Sequence, residues 1–376
     1  MCHLAENSTT FLTCSSHITT MKFMQEDNME KKIAVIGAGA VGSYIGAHLT
    51  KSGHDLTFID MWGEHVSFMK EHGLKVSGFP NEFTTPVKAL HITEAQEIRE
   101  AFDIILLSVK SYDTEWATHF AKRFLSPNGY IVSAQNCMND KLIGSIIGYQ
   151  RVIPCVLCDY AVQLWEPGHV QRREEDQAKE RYSFRIGELN GKISPRLIEL
   201  SEIMGTIDGS LATANIWGER WSKLALNIAT NPLQALTSLG SQGLAKDPRA
   251  RLIYAQLAKE CIQVGLELNY EIENVHGFEP KMWANADRGD VYEELDAWMA
   301  SRAHGPEWRS SMAQDVIKGR KTEIMEMNGY IVARGREMNI PTPVNAATVE
   351  IIRQIEANQL ESKPENVETV LSMAGL

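Results

Sequence analysis

From Lys31 onward the chain alternates short, almost wholly apolar runs with stretches whose apolar residues recur every three or four positions. The runs Ile33–Ile36, Asp55–Ile59, Asp103–Val109, Tyr130–Ala134 and Val152–Leu157 predict strands, and Val41–Ser52 and Glu64–His72 predict helices between them. Strands with so few polar alternations are buried on both faces, which predicts a parallel sheet covered by helices on either side. Gly168–Gln171 and Tyr182–Ile186 flank the charged stretch Arg172–Arg181 and predict a hairpin appended to that sheet, with the charges on a solvated loop. Beyond about Ala214 strand signals stop. Helical patterns then cover Trp217–Leu236, Pro248–Leu268, Val291–Ala303, Ser310–Glu337 and Asn345–Asn358, with Pro341 and Pro343 ending the fourth. The organisation expected is an α/β domain over residues 31–214 followed by an all-helical domain over 215–376, with a ligand cleft between them. Residues 1–30 are rich in Ser, Thr and Met, lack apolar periodicity and read as a disordered leader; Met29 offers an alternative start.

Composition narrows the class. The 376 residues suffice for one or two full cores. Lys plus Arg number 37 against 48 Asp plus Glu, a net charge of −11, which disfavours nucleic acid and anionic lipid as partners. No stretch approaches the roughly 20 apolar residues of a membrane span, and no signal peptide opens the chain. Six scattered cysteines do not make a disulfide framework, so a cytoplasmic location is expected. Cys155-Val-Leu-Cys158 lies in a predicted strand, where residues three apart face opposite ways, and no second such pair completes a metal site; structural thiols are the reading, with no metal expected.

Gly37-Ala38-Gly39-Ala40-Val41-Gly42 places G-x-G-x-x-G directly between a predicted strand and a predicted helix. Gly37 permits the tight turn, Gly39 lets backbone approach a pyrophosphate, and Gly42 allows close helix–sheet packing, the fingerprint of a Rossmann-type dinucleotide site. The helix N-terminus supplies unpaired N–H groups and a positive dipole end. Eighteen residues past Gly42, Asp60 ends the second strand. A carboxylate there accepts ribose hydroxyls and repels a 2′-phosphate, and Met61–Glu64 supply no cation to reverse this, so NAD(H) is favoured while NADP(H) stays open. An N-cap role for Asp60 is compatible with that.

In the helical part Lys223, Asn227 and Asn231 recur every four residues, within about 80° of one another on one helix face. Such a stripe is a poor core face; it lines a polar cleft or is simply solvated.

The combination resembles the ketopantoate (2-dehydropantoate) reductases over roughly residues 31–360. The matching segments are Gly37–Gly42, Ile104–Lys110, Gln135-Asn136, Trp221–Asn227 with Asn231-Pro232-Leu233, Ser310-Ser311-Met312, Lys321–Ile324, Met327-Asn328-Gly329 and Ile340–Asn345. The resemblance implies a fused Rossmann and helical architecture and hydride transfer from NAD(P)H to a 2-oxoacid, giving a D-2-hydroxyacid, with 2-dehydropantoate and pantothenate biosynthesis as the expected setting. Separately, a homodimer through the helical domain is a reasonable expectation. The resemblance makes Lys223 the general acid for the nascent alkoxide. Glu323 would bond the substrate or cofactor ribose and orient Lys223; Asn136 would bridge nicotinamide ribose and substrate; Lys110 would face the cofactor. Asn227, Asn231 and Ser311 would hold the 2-oxoacid, and Ala161 would lie near the nicotinamide. The plain alternatives are a snorkelling Lys110, a helix-start hydroxyl at Ser311, an exposed helix carboxylate at Glu323 and a packing or bend feature at Asn328-Gly329.

Four positions depart from the family pattern: Asp60 replaces a frequent arginine, Cys137 a glycine after Asn136, Trp308 an asparagine, and Ser241-Gln242 an Asn-Gly pair. Asn285–Pro306 reads as a longer connection carrying Tyr292 and Trp298, either a lid for a larger acid or core aromatics. Two other functions remain: an NAD-dependent dehydrogenase of a larger 2-hydroxyacid, and a silent dinucleotide sensor, for which a proton donor would be superfluous.

Overall fold

A computed structural model of the protein describes residues 31–78, 80–158, 161–173 and 182–376. The expected leader and most of the charged stretch after Arg173 lie outside them. The described strands are β1 (Ile33–Ile36), β2 (Leu56–Asp60), β3 (Leu74–Gly78), β4 (Phe83–Thr85), β5 (Lys88–His91) and β6 (Phe102–Leu107). They continue with β7 (Leu125–Ser133), β8 (Val152–Leu157), β9 (Val162–Glu166), β10 (His169–Arg172), β11 (Phe184–Ile186) and β12 (Ser210–Ala212). Among them run helices α1 (Ala40–Lys51), α2 (Gly63–His72), α3 (Thr114–Lys122), α4 (Asp140–Ile147) and α5 (Pro195–Gly205). The helical half holds α6 (Ile216–Thr237), α7 (Ser241–Lys246), α8 (Pro248–Glu267), α9 (Pro280–Ala284) and α10 (Gly289–Ser301). It ends with α11 (Ser311–Ile317), α12 (Asn328–Met338), α13 (Pro343–Glu356) and α14 (Asn366–Ala374).

The main sheet has the order β12-β11-β8-β7-β6-β1-β2-β5, parallel from β8 to β5. Its strands show why the apolar runs lack polar alternation. Ile33 and Val35 of β1 enter a core with Tyr44 and Leu49 of α1 and Leu200 of α5, whereas Ala34 and Ile36 enter a second core with Ala117 of α3 and Ile143 of α4. Successive side chains point to opposite faces and both faces are covered.

The expected hairpin does not form. β10 pairs with β9 and β3 in a separate sheet of order β4-β3-β10-β9, while β11 joins the main sheet antiparallel to β8. Short strands find their partners by tertiary packing, and here each finds a different sheet. Arg172 is likewise no solvated loop residue: it is buried, and its guanidinium binds Asp208 at 2.5 Å and the Tyr44 hydroxyl at 3.2 Å. Cys155 is buried in β8, where burial pushes its thiol up to about 12, and Cys158 beyond it is half-buried; both are unoxidised.

The third core lies within the helical half, built on α6 and α8 with Trp221, Ile228, Leu257, Ile262 and Trp283. The single helix expected over Ser310–Glu337 is two, α11 and α12, because Gly319 takes a left-handed φ of +62° and turns the chain. Pro232 sits inside α6 and has no N–H to give the Ile228 carbonyl. The Asn328 amide, at the start of α12, donates to that carbonyl at 3.2 Å and to Asn345 Oδ1 at 2.9 Å. Asn328 is therefore a packing residue of the proline break.

Candidate active site

The fingerprint turn has the shape its glycines require. Gly37 has φ +92°, and a Cβ on Gly42 would stand 2.2 Å from the Gly37 carbonyl oxygen and 2.4 Å from Ser108 Oγ. A Cβ on Gly39 would meet nothing within 4 Å. Gly39 is the N-cap of α1 and has no side chain to cap it, so the N–H groups of Ala40, Val41 and Gly42 open onto that free space. Such a cradle fits a pyrophosphate. Asp60 accepts from the Ala38 N–H through one oxygen at 2.5 Å and from the Trp62 N–H through the other at 2.7 Å, which fixes the carboxylate beside the turn.

A polar cluster joins the sheet half to the helical half past the ends of β6 and β7. Asn227 Nδ2 donates to Asn136 Oδ1 at 3.1 Å, which brings the Gln135-Asn136 segment against the α6 stripe. Lys223 is half-buried one turn before Asn227, and Asn231 is buried one turn after it. Asn231 lies against Met327 Sδ at 3.9 Å, and its carbonyl accepts from Ser310 Oγ at 3.3 Å. Ser310, not Ser311, caps α11, its hydroxyl accepting from the Ala313 N–H; Ser311 is the half-buried first residue of that helix.

Glu323 is buried and takes partners other than Lys223. Its Oε1 accepts from the Ser111 N–H at 2.9 Å and the Ser111 hydroxyl at 2.7 Å, and Oε2 lies 3.6 Å from Lys110 Nζ. Lys110 also binds Asp315 at 2.5 Å. Burial pulls its ammonium down, but Glu323 and Asp315 outweigh that and hold it protonated well above the ordinary lysine range. The Lys110 ammonium thus bridges to two carboxylates of the helical half. The Ala161 carbonyl accepts from the Arg173 N–H at 3.1 Å.

Sequence reasoning missed the group that sets α6 on the sheet. Arg220 Nε and Nη2 bind both oxygens of Asp140 at 2.9 and 2.8 Å, while its remaining N–H groups reach the carbonyls of Gln135 at 2.6 Å and Ser133 at 2.8 Å. Arg220 is 4% exposed and Asp140 fully buried. An arginine three residues before the stripe lysine was the only signal. Cys137 is also explained in part: it has φ +66°, the left-handed region in which glycine is least strained, and burial holds its thiol far above its usual range. Trp298 packs in an aromatic group with His276, Phe278 and Trp283. It also lines a cavity of about 260 Å³ with Leu226, Thr230, Leu233, Tyr254 and Trp308, on the α6 face next to the stripe.

A dinucleotide cradle on a parallel sheet, with a lysine–asparagine helix face brought against it, defines an oxidoreductase of the Rossmann type with a helical second half. Residues 33–187 match the family model "Ketopantoate reductase PanE/ApbA" and residues 215–356 its C-terminal counterpart. The 2-dehydropantoate 2-reductase of Aquifex aeolicus is 31% identical over 338 residues, covering 89% of this chain and 99% of that one. The enzyme of the same name from Archaeoglobus fulgidus is 27% identical over 329 residues, 87% of this chain and 98% of its own. A ketopantoate reductase structure from Ralstonia eutropha superposes with TM-score 0.71 at 26% identity, covering 87% of this chain and 99% of the other. D-mandelate dehydrogenase in ternary structure with NADH and anilino(oxo)acetate shares the fold, with TM-score 0.73, 22% identity and coverage of 87% and 99%. The chain belongs to the ketopantoate reductase family, a family of oxidoreductases that use a nicotinamide dinucleotide.

Proposed function

We propose that this protein reduces 2-dehydropantoate to pantoate in the cytoplasm, with Lys223 as general acid and Asn227, Asn231 and Ser311 holding the 2-oxoacid. The observation that carries this is the Asn136–Asn227 hydrogen bond, which closes the sheet end against the helix face bearing Lys223. A dinucleotide held by the Gly37–Gly42 turn and Asp60 would supply the hydride for the carbonyl carbon. Lys223, a cation in a chain of net charge −11, gives its proton to the carbonyl oxygen as negative charge develops there, and regains one from solvent. Glu323, set by Ser111 and Lys110, supports a role toward the cofactor ribose or substrate rather than one of orienting Lys223. Asp60 favours NADH through its ribose-accepting carboxylate. The reading includes a homodimer, the state that a fold neighbour from Staphylococcus aureus carries in its name, and light scattering on the purified chain tests it. Turnover is tested by mixing the protein with NADH or NADPH and a panel of 2-oxoacids while absorbance of the reduced nicotinamide is followed. Oxidation of the cofactor with 2-dehydropantoate above all other acids is expected; no turnover on any acid would refute the reading.

A further inference from the structure

His65 has no exposed surface and shares the buried side of α2 with Val66 and Met69. A polar ring there costs free energy unless both of its nitrogens find partners. Both do. Nδ1 accepts from the Gly168 N–H at 2.9 Å, and Nε2 lies 3.3 Å from Ser43 Oγ. A backbone N–H can only donate, so Nδ1 is bare and the proton of the neutral ring sits on Nε2. Ser43 Oγ therefore accepts from the ring and gives its own hydrogen to the Ala38 carbonyl at 2.8 Å. The three bonds form a one-way relay from Gly168, through imidazole and hydroxyl, to the second residue of the glycine-rich turn.

Both ends of the relay are fixed. Gly168 lies between β9 and β10 with φ +68°, its carbonyl accepts from the Lys75 N–H at 2.8 Å, and a Cβ on it would stand 2.0 Å from the Phe68 ring. At the other end Ala38 gives its N–H to Asp60 at 2.5 Å. The peptide groups on either side of Ala38 are thus held from two directions, next to the free space beside Gly39. The charged groups around the ring are Asp60, the Glu166–His169 pair that flanks Gly168, and Arg320, whose guanidinium lies 5.7 Å from the Trp62 ring that stacks on His65. Burial pulls His65 below the ordinary histidine value of 6.5, against Asp60 and the Ala38 carbonyl. A proton added at Nδ1 would face the Gly168 N–H donor to donor and break the relay at its first bond.

We propose that His65 is a positioning residue of the glycine-rich turn: its neutral form, set by the Gly168 N–H, holds the Ala38 peptide where a dinucleotide meets the turn. The inference rests on the dinucleotide reading of that turn, and binding without any 2-oxoacid tests it. Fluorescence titration of the full chain with NADH and NADPH is expected to show affinity falling as pH drops below 6.5, over the range in which circular dichroism shows the chain folded. His65→Ala should weaken the tighter-bound dinucleotide about tenfold at about pH 8, roughly the worth of one buried hydrogen bond. His65→Gln has an amide that accepts at one atom and donates at the other but takes up no proton, so it should recover most of that affinity and flatten the acid fall. It decides the matter even if His65→Ala does not fold. Ser43→Ala should lose a similar factor, and the double variant no more than the larger single loss, because one relay is broken. A parallel pH fall in the parent and in His65→Gln would place the titration in another group and overturn the proposal. Unchanged affinity in His65→Ala, or losses from His65→Ala and Ser43→Ala that simply add, would overturn it too. Binding of neither dinucleotide by the parent would refute the dinucleotide reading itself and this inference with it.

Discussion

Replacing Arg220 by alanine should show how strongly α6 is fastened to the sheet. The guanidinium is 4% exposed and makes its hydrogen bonds to both oxygens of the fully buried Asp140 and to the carbonyls at the end of β7. Truncation leaves a buried carboxylate without a counter-ion, which costs about 3–5 kcal/mol. The orphaned Gln135 and Ser133 carbonyls push the loss toward the upper end, since a buried unsatisfied acceptor costs roughly 1–3 kcal/mol. Against a total stability of about 5–15 kcal/mol, the urea midpoint should fall sharply. An exposed pair such as Lys88 with Asp55 should matter by no more than about 1 kcal/mol when broken. Lys223, the proposed general acid, lies three residues beyond Arg220, and a shift of about 1 Å in a catalytic group costs on the order of 100-fold in rate, so kcat should fall even where the variant remains folded. Arg220→Lys keeps the charge but not the fork and should recover little. Adding Asp140→Asn to Arg220→Ala should recover part of the stability, because it removes the uncompensated charge. A loss below about 1 kcal/mol in Arg220→Ala, or a double variant less stable than the single, would refute the reasoning.

Lys223→Ala should lower kcat by about 10²–10⁴-fold in stopped-flow turnover while leaving NADH affinity nearly unchanged; retained turnover removes it from the mechanism. Gly42→Val should abolish dinucleotide binding in a fluorescence titration, because its Cβ lands 2.2 Å from the Gly37 carbonyl oxygen. Asn328→Leu strips the Ile228 carbonyl of its donor at the proline break and should cost about 1–3 kcal/mol in denaturant unfolding. His48 is lowered from 6.5 to about 4 by burial and by the nearby Lys51 and Arg172. The unfolded chain therefore binds a proton between those values that the folded chain refuses, and stability is full above pH 6.5 and falls as pH drops toward 4. The ring is partly exposed, so the loss is discounted by solvent screening to about 1–2 kcal/mol. His48→Phe, which keeps the ring between Tyr44 and Phe83, should flatten that part of the acid unfolding curve.

Much of the candidate site's geometry was legible because it is local. The fingerprint needs only a strand, a turn and a helix start within ten residues, and the Lys223–Asn227–Asn231 stripe follows from helix period alone. Strand and helix positions came within a few residues for the same reason. The partners of Glu323 were not legible. The family pattern points it at Lys223, yet Ser111 and Lys110, more than 200 positions earlier, reach it first. The hairpin expected around Arg172–Arg181 failed on the same account, since nothing in two short strands says which edge each will join. Trp298 shows a third case, in which the sequence leaves lid and core open and packing answers with an aromatic cluster beside a cavity.

The sequence by itself determined the α/β-then-helical order, the glycine-rich turn, the carboxylate at the end of β2 and the face of α6 that carries Lys223, Asn227 and Asn231. These depend on periodicities and steric limits that act over one or two turns of chain. Only the tertiary structure decided that Arg220 locks α6 to Asp140, that Lys110 bridges to Asp315 and Glu323, and that Arg320 comes to rest over the Trp62 ring. Such pairs are single contacts between charged groups with many partners of the right sign. The folding of each half around its own apolar cores places the elements that select among them.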